Sequence, residues 1–76
     1  MILDLIITKT NDGVTAEIPS LKGCESWAHD EETVMDKILD LASFYLRVDK
    51  EKFKVDKARN QKNKEIYKLV FNKSSL

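Results

Sequence analysis

From Ile2 to Lys9, apolar residues occupy both alternating faces: Leu3, Leu5 and Ile7 on one, Ile2 and Ile6 with Asp4 and Thr8 on the other. Side chains alternate across a strand, so the run predicts a strand, and apolar content on both faces predicts a central or well-covered one. Thr10-Asn11-Asp12-Gly13 follows, and Asp-Gly between two alternating runs signals a hairpin. The return strand is Val14 to Ile18, with Val14, Ala16 and Ile18 on one face and Thr15 and Glu17 on the other. Pro19 ends it, because proline has no amide to give to a ladder. Ser20-Leu21-Lys22-Gly23 then makes a tight connection to a third short strand, Cys24 to Ala28, whose one large side chain is Trp27. Together these three strands predict a small antiparallel sheet.

The period then changes. Val34, Met35, Ile38, Leu39, Leu41, Ala42, Tyr45 and Leu46 recur at spacings of three and four, with Asp36, Lys37 and Asp40 outside the stripe. That spacing predicts an amphipathic helix over 31–46 lying on a sheet. Asp30 suits its N-cap, and Glu31 and Glu32 complement the positive end of the helix dipole. Beyond it, residues 50–63 are dominated by lysine, with Phe53 and Val55 as the main apolar residues. Two readings of this stretch stay open: a short basic helix, or the first arm of a hairpin in which Phe53 and Val55 alternate. Glu65 to Phe71 is β-rich and predicts a strand returning to the sheet. Asn72 to Leu76 is expected to fray. The expected fold is α+β, a two-layer β-β-β-α-β arrangement with one main helix packed on a small antiparallel sheet. It forms a single domain over 1–76, with a core over 1–46, a basic connection over 47–64 and a final strand over 65–71.

Composition narrows what such a domain does. A chain of 76 residues buries only about 60% of its unfolded surface, so a partner subunit is a natural stabiliser and a homodimer or higher oligomer is expected. Cys24 is the only cysteine, which excludes an intrachain disulfide and argues for a reducing, cytoplasmic setting. One Cys and one His do not make a structural zinc site, which needs about four ligands. No cofactor is expected. The apolar start, Met1 to Ile7, is short, lacks a basic flank and is interrupted by Asp4, so it does not read as a signal peptide. No apolar run approaches the ~20 residues of a membrane span. The net charge of zero hides an asymmetry: residues 1–46 carry three bases against nine acids, and residues 47–76 ten bases against four acids. The two halves either serve separate partners or pack together and cancel.

Candidate chemistry is sparse. His29, the only histidine, is a possible base or ligand, but it stands in a strand-to-helix loop beside Asp30, where a solvated role is the plainer reading. Cys24 is either a nucleophile activated by His29 or a small buried apolar residue entering a strand. A metal-dependent nuclease needs converging carboxylates, and Asp12 and Asp30 are already accounted for by the turn and the cap. Trp27 and Tyr45 are the aromatic anchors available for binding, although Trp27 equally suits a cover for the sheet or the helix start. The basic segment offers Lys50, Lys52, Lys54, Lys57, Arg59 and Lys62 as phosphate contacts for nucleic acid, or else as a solvated connection. The spacing 50, 52, 54 would place three lysines on one side of a strand.

The stretch Asp12-Gly13, then Ala16-Glu17-Ile18-Pro19-Ser20-Leu21-Lys22-Gly23-Cys24-Glu25-Ser26, followed by the acidic-capped helix at Asp30-Glu31-Glu32, resembles the HicB-like antitoxin family. The resemblance covers roughly residues 1–46. Lys22 stands where the family usually has a second proline, Ala28-His29 where Gly-Asp is common, and Val14 where an aromatic is usual. Residues 47–76 are too short for the helix-turn-helix that complete family members add. The resemblance implies a degenerate, partial RNase H-like core without catalytic carboxylates, commonly oligomeric, that covers a small basic ribonuclease toxin. It therefore implies a non-catalytic protein-interaction domain, with Trp27, Tyr45, Glu17 and Glu25 as partner-binding candidates. A nucleic-acid-binding domain using residues 47–64 is the alternative.

Overall fold

A computed structural model describes residues 1–72 of the chain, so most of the segment expected to fray lies outside the described residues. In chain order the elements are β1 (Ile2–Lys9), β2 (Val14–Glu17), β3 (Glu25–Ala28), α1 (Glu31–Leu46), β4 (Lys54–Gln61) and β5 (Lys64–Val70), with a 3₁₀ turn over Lys50–Lys52. The strands form one antiparallel sheet in the order β3-β2-β1-β5-β4, and α1 packs on one face of it. This is the expected two-layer α+β fold with β1 at its centre.

The residues left open between helix and hairpin arm contain both a turn and a strand. Lys50–Lys52 form the 3₁₀ turn, and β4 then runs antiparallel to β5, with Val55 opposite Leu69 and Lys57 opposite Tyr67. The apolar alternation of Phe53 and Val55 was the correct cue, because Val55 lies on the helix side of the sheet beside the core. β2 and β3 are each one residue shorter than expected. Ile18 and Cys24 instead close the connecting loop: the Ile18 amide donates to the Cys24 carbonyl at 3.0 Å, and the Cys24 amide to that of Leu21 at 2.9 Å.

The core lies between α1 and the β3-β2-β1 half of the sheet. Val34, Ile38, Ala42 and Leu46, four residues apart, form the buried stripe of the helix. They meet Leu5, Ile7, Ala16, Ile18 and Leu69, all 0–1% exposed. The Asp30 side chain caps the helix by accepting from the Thr33 amide at 2.7 Å, and this hydrogen bonding holds its carboxyl below the ordinary range. The helix ends at Arg47, whose amide donates to the Ser43 carbonyl from a left-handed backbone.

An uncovered sheet face as the candidate site

Directly opposed residues of an antiparallel ladder share a face, so the register assigns every side chain. Leu3, Leu5 and Ile7 face the helix together with Ala16, Leu69, Tyr67 and Glu65. On the other face Ile2, Asp4, Ile6 and Thr8 of β1 lie between Thr15 and Glu17 of β2 and Lys64, Ile66, Lys68 and Val70 of β5. No described element covers this second face. Ile2 is 64% exposed and Trp27 43%, while Ile6, Ile66 and Val70 are half-buried by their neighbours.

Three of the four partner-binding candidates meet there. Glu17 stands opposite Glu25, and Trp27 stands opposite Thr15 two residues further along β3. A shallow recess joins Thr15, Glu17, Glu25 and Trp27. The Trp27 ring packs edge-on to His29, with centroids 4.7 Å apart, and a Cβ on Gly13 would meet the Ala28 carbonyl oxygen at 2.5 Å and a Trp27 ring carbon at 2.8 Å. Gly13 is therefore glycine because of a neighbour. It closes a four-residue loop, in which the Thr10 amide donates to the Gly13 carbonyl at 2.8 Å. Tyr45 does not join this group. It sits on α1 in the other layer, edge-on to Phe44, with its hydroxyl beside Gly23.

The basic candidates are dispersed. Lys50 is tied to the helix, bonding Asp36 and lying 3.0 Å from Asp40, and these bonds raise its pKa. Lys52 belongs to the 3₁₀ turn and Lys62 to the β4–β5 connection. The expected row at 50, 52 and 54 does not form, because the strand begins only at Lys54. Lys54 lies on the uncovered face and Lys57 on the helix face. A bulge between Lys57 and Arg59 then shifts the alternation, so Arg59 pairs with Ile66 and returns to the uncovered face.

Lys57 has a different employment. Its ammonium bonds Glu65, whose residue is only 7% exposed and whose second carboxylate oxygen has no partner among the described residues. The Lys57 bond holds the Glu65 carboxyl below the ordinary range. Tyr67 donates to Glu31 at 2.8 Å, and burial, reinforced by Glu31, pushes its phenol up to about 12. Sequence reasoning missed this cluster. Glu65 opens a β-rich run and reads as a strand end, and only the pairing of β5 with β1 turns it inward opposite Ile7. Cys24 is 2% exposed, and burial raises its thiol pKa, the opposite of what nucleophile activation requires.

Fold and surface together define a two-layer α+β chain with one uncovered, charge-patterned sheet face. No protein-family model, curated protein or solved structure matches it. Among the described residues no group of three or more His, Cys, Asp or Glu is placed to hold a metal ion, and no helix is long and apolar enough to cross a membrane.

Proposed function

We propose that the chain is a non-catalytic protein-interaction domain that, antitoxin-like, binds and masks a small basic ribonuclease toxin through the β2–β3 side of the uncovered face. The observation that carries this reading is the pairing of Glu17 with Glu25. Like charges directly opposed across a ladder destabilise a sheet, and neither glutamate has a cationic partner among the described residues. A cationic protein would convert that repulsion into attraction and be steered to the site by it. Trp27 beside the pair supplies an aromatic anchor of the type that dominates interface energies. The HicB-like resemblance of residues 1–46 supplies the class of partner. Nucleic-acid binding through residues 47–64 has less support, since Lys50 and Lys57 are already engaged by carboxylates, and Lys52 and Lys62 lie outside the strands, which leaves only Lys54, Arg59 and Lys64 on the uncovered face.

The test is affinity capture from native cytosol, with half of the sample nuclease-treated, using the wild type and a Glu17→Lys/Glu25→Lys variant. The expected result is a small basic protein recovered by the wild type in both halves and lost from the variant. Recovery of nucleic acid, with proteins disappearing after nuclease, would overturn the reading, as would undiminished capture by the variant.

A further inference from the structure

We propose that the uncovered sheet face pairs with the same face of a second copy of this chain, about a two-fold axis running along β1. The proposal rests on the reading of this face as the interaction surface and names a partner for it.

Its basis is the pattern of one row. The registers place Glu25, Glu17, Ile6, Ile66 and Arg59 side by side across all five strands, running from acid through apolar to base. The next row, one pleat along β1, sets Asp4 beside Lys68 and Asp56, and the row after it sets Ile2 beside Val70 and Lys54. Because β1 is third of five strands, the acidic β2–β3 flank and the basic β4–β5 flank lie at matching distances on either side of it. Rotation by a half-turn about an axis along β1 keeps each residue at its own level and exchanges the flanks. Glu25 then meets Arg59 of the second copy, Glu17 lies over Ile66 between its Arg59 and Lys64, and Ile6 meets Ile6. An axis across the strands would instead set the whole Glu17–Glu25 flank on itself, whereas the axis along β1 opposes only Asp4, already bridged to Lys68, to its own copy, so the flank charges favour the axis along β1.

The face as a whole is electrically balanced. Lys54, Arg59, Lys64 and Lys68, with Asp56 among them, oppose Asp4, Glu17 and Glu25. Sheets packed face to face lie about 10 Å apart and within about 30° of alignment, which suits side chains of these lengths. An isologous pair of this kind closes on itself, so it ends at a dimer. It also relieves the Glu17–Glu25 repulsion in the absence of any other partner, and a basic protein then gains access by displacing the second copy.

Sedimentation equilibrium on the purified full chain tests this with two charge-reversal variants, Glu17→Lys/Glu25→Lys and Lys54→Glu/Arg59→Glu. All four positions are exposed, and circular dichroism checks that each variant is folded. The wild type is expected to be dimeric, each variant alone monomeric, and their equimolar mixture dimeric again, because both flanks become complementary only in the mixed pair. A wild type that stays monomeric at every concentration would overturn the proposal, as would a mixture that stays monomeric or variants that dimerise as the wild type does. A monomeric wild type that still captures a basic protein would defeat the self-pairing alone and leave the proposed function standing.

Discussion

Gly23 and Arg47 both hold left-handed backbone, at φ 81° and 56°, yet only one of them is glycine. An L side chain costs about 1–2 kcal/mol in that conformation. Gly23→Ala is accordingly expected to lower the unfolding free energy by about 1–2 kcal/mol, with the Tyr45 hydroxyl 3.2 Å from the new Cβ adding to the crowding. Arg47→Gly is expected to act oppositely and stabilise by about 0.5–1 kcal/mol, the gain being reduced by the freer unfolded chain. Urea denaturation of the two variants checks both signs. Glu65 carries a pH prediction. Its folded pKa lies below its unfolded value, so its contribution is present above the unfolded carboxylate pKa of about 4.3 and is lost as pH falls through the folded one. Replacing it by glutamine removes that titration. The urea midpoint of Glu65→Gln is expected to change less than that of the wild type between about pH 6 and about pH 3. An equally steep acid limb would show that the Lys57–Glu65 pair contributes nothing to acid sensitivity.

At the scale of elements, α1 was fully legible because its apolar residues repeat with the helix period and its start carries a capping aspartate. The same period separates cost from tolerance along it. Ile38, fully buried, is expected to cost about 2–5 kcal/mol on replacement by alanine. Phe44, 83% exposed, is expected to stay within about 0.5 kcal/mol of the wild type, despite being the larger side chain. Thermal unfolding followed by circular dichroism distinguishes them. β1 was legible for a different reason, since apolar residues on both faces mark a central strand. β4 was only half legible. Val55 is its one half-buried apolar residue, charged side chains fill most of the rest, and the bulge before Arg59 breaks the alternation on which strand reading depends. Those features suit an edge strand, because charges and a bulge discourage pairing with another chain's edge.

At the scale of the whole molecule, the charge asymmetry visible in the sequence became a geometric one. The acidic half of the chain forms one side of the sheet and the basic half the other, joined at β1 and β5, with Lys50 pairing with Asp36 and Asp40 and Lys68 with Asp4 across the two halves. The candidate surface itself was not legible as a unit. Glu17, Glu25 and Trp27 stood out singly, whereas their association with Ile6, Ile66 and Arg59 depends on a register that no local pattern encodes. Tyr45 shows the converse, an aromatic with the right chemistry that the fold places in the other layer. On the proposed function, the uncovered sheet face, and not the helix layer, meets other molecules. NMR of the isotopically labelled chain over a dilution series, following methyl and aromatic-ring signals, tests this. The predicted result is concentration-dependent movement of Ile2, Ile6, Ile66, Val70 and Trp27 together, with Met35, Leu39 and Phe44 unmoved. Movement confined to the helix residues would contradict it, and no movement at any concentration would contradict the self-pairing alone.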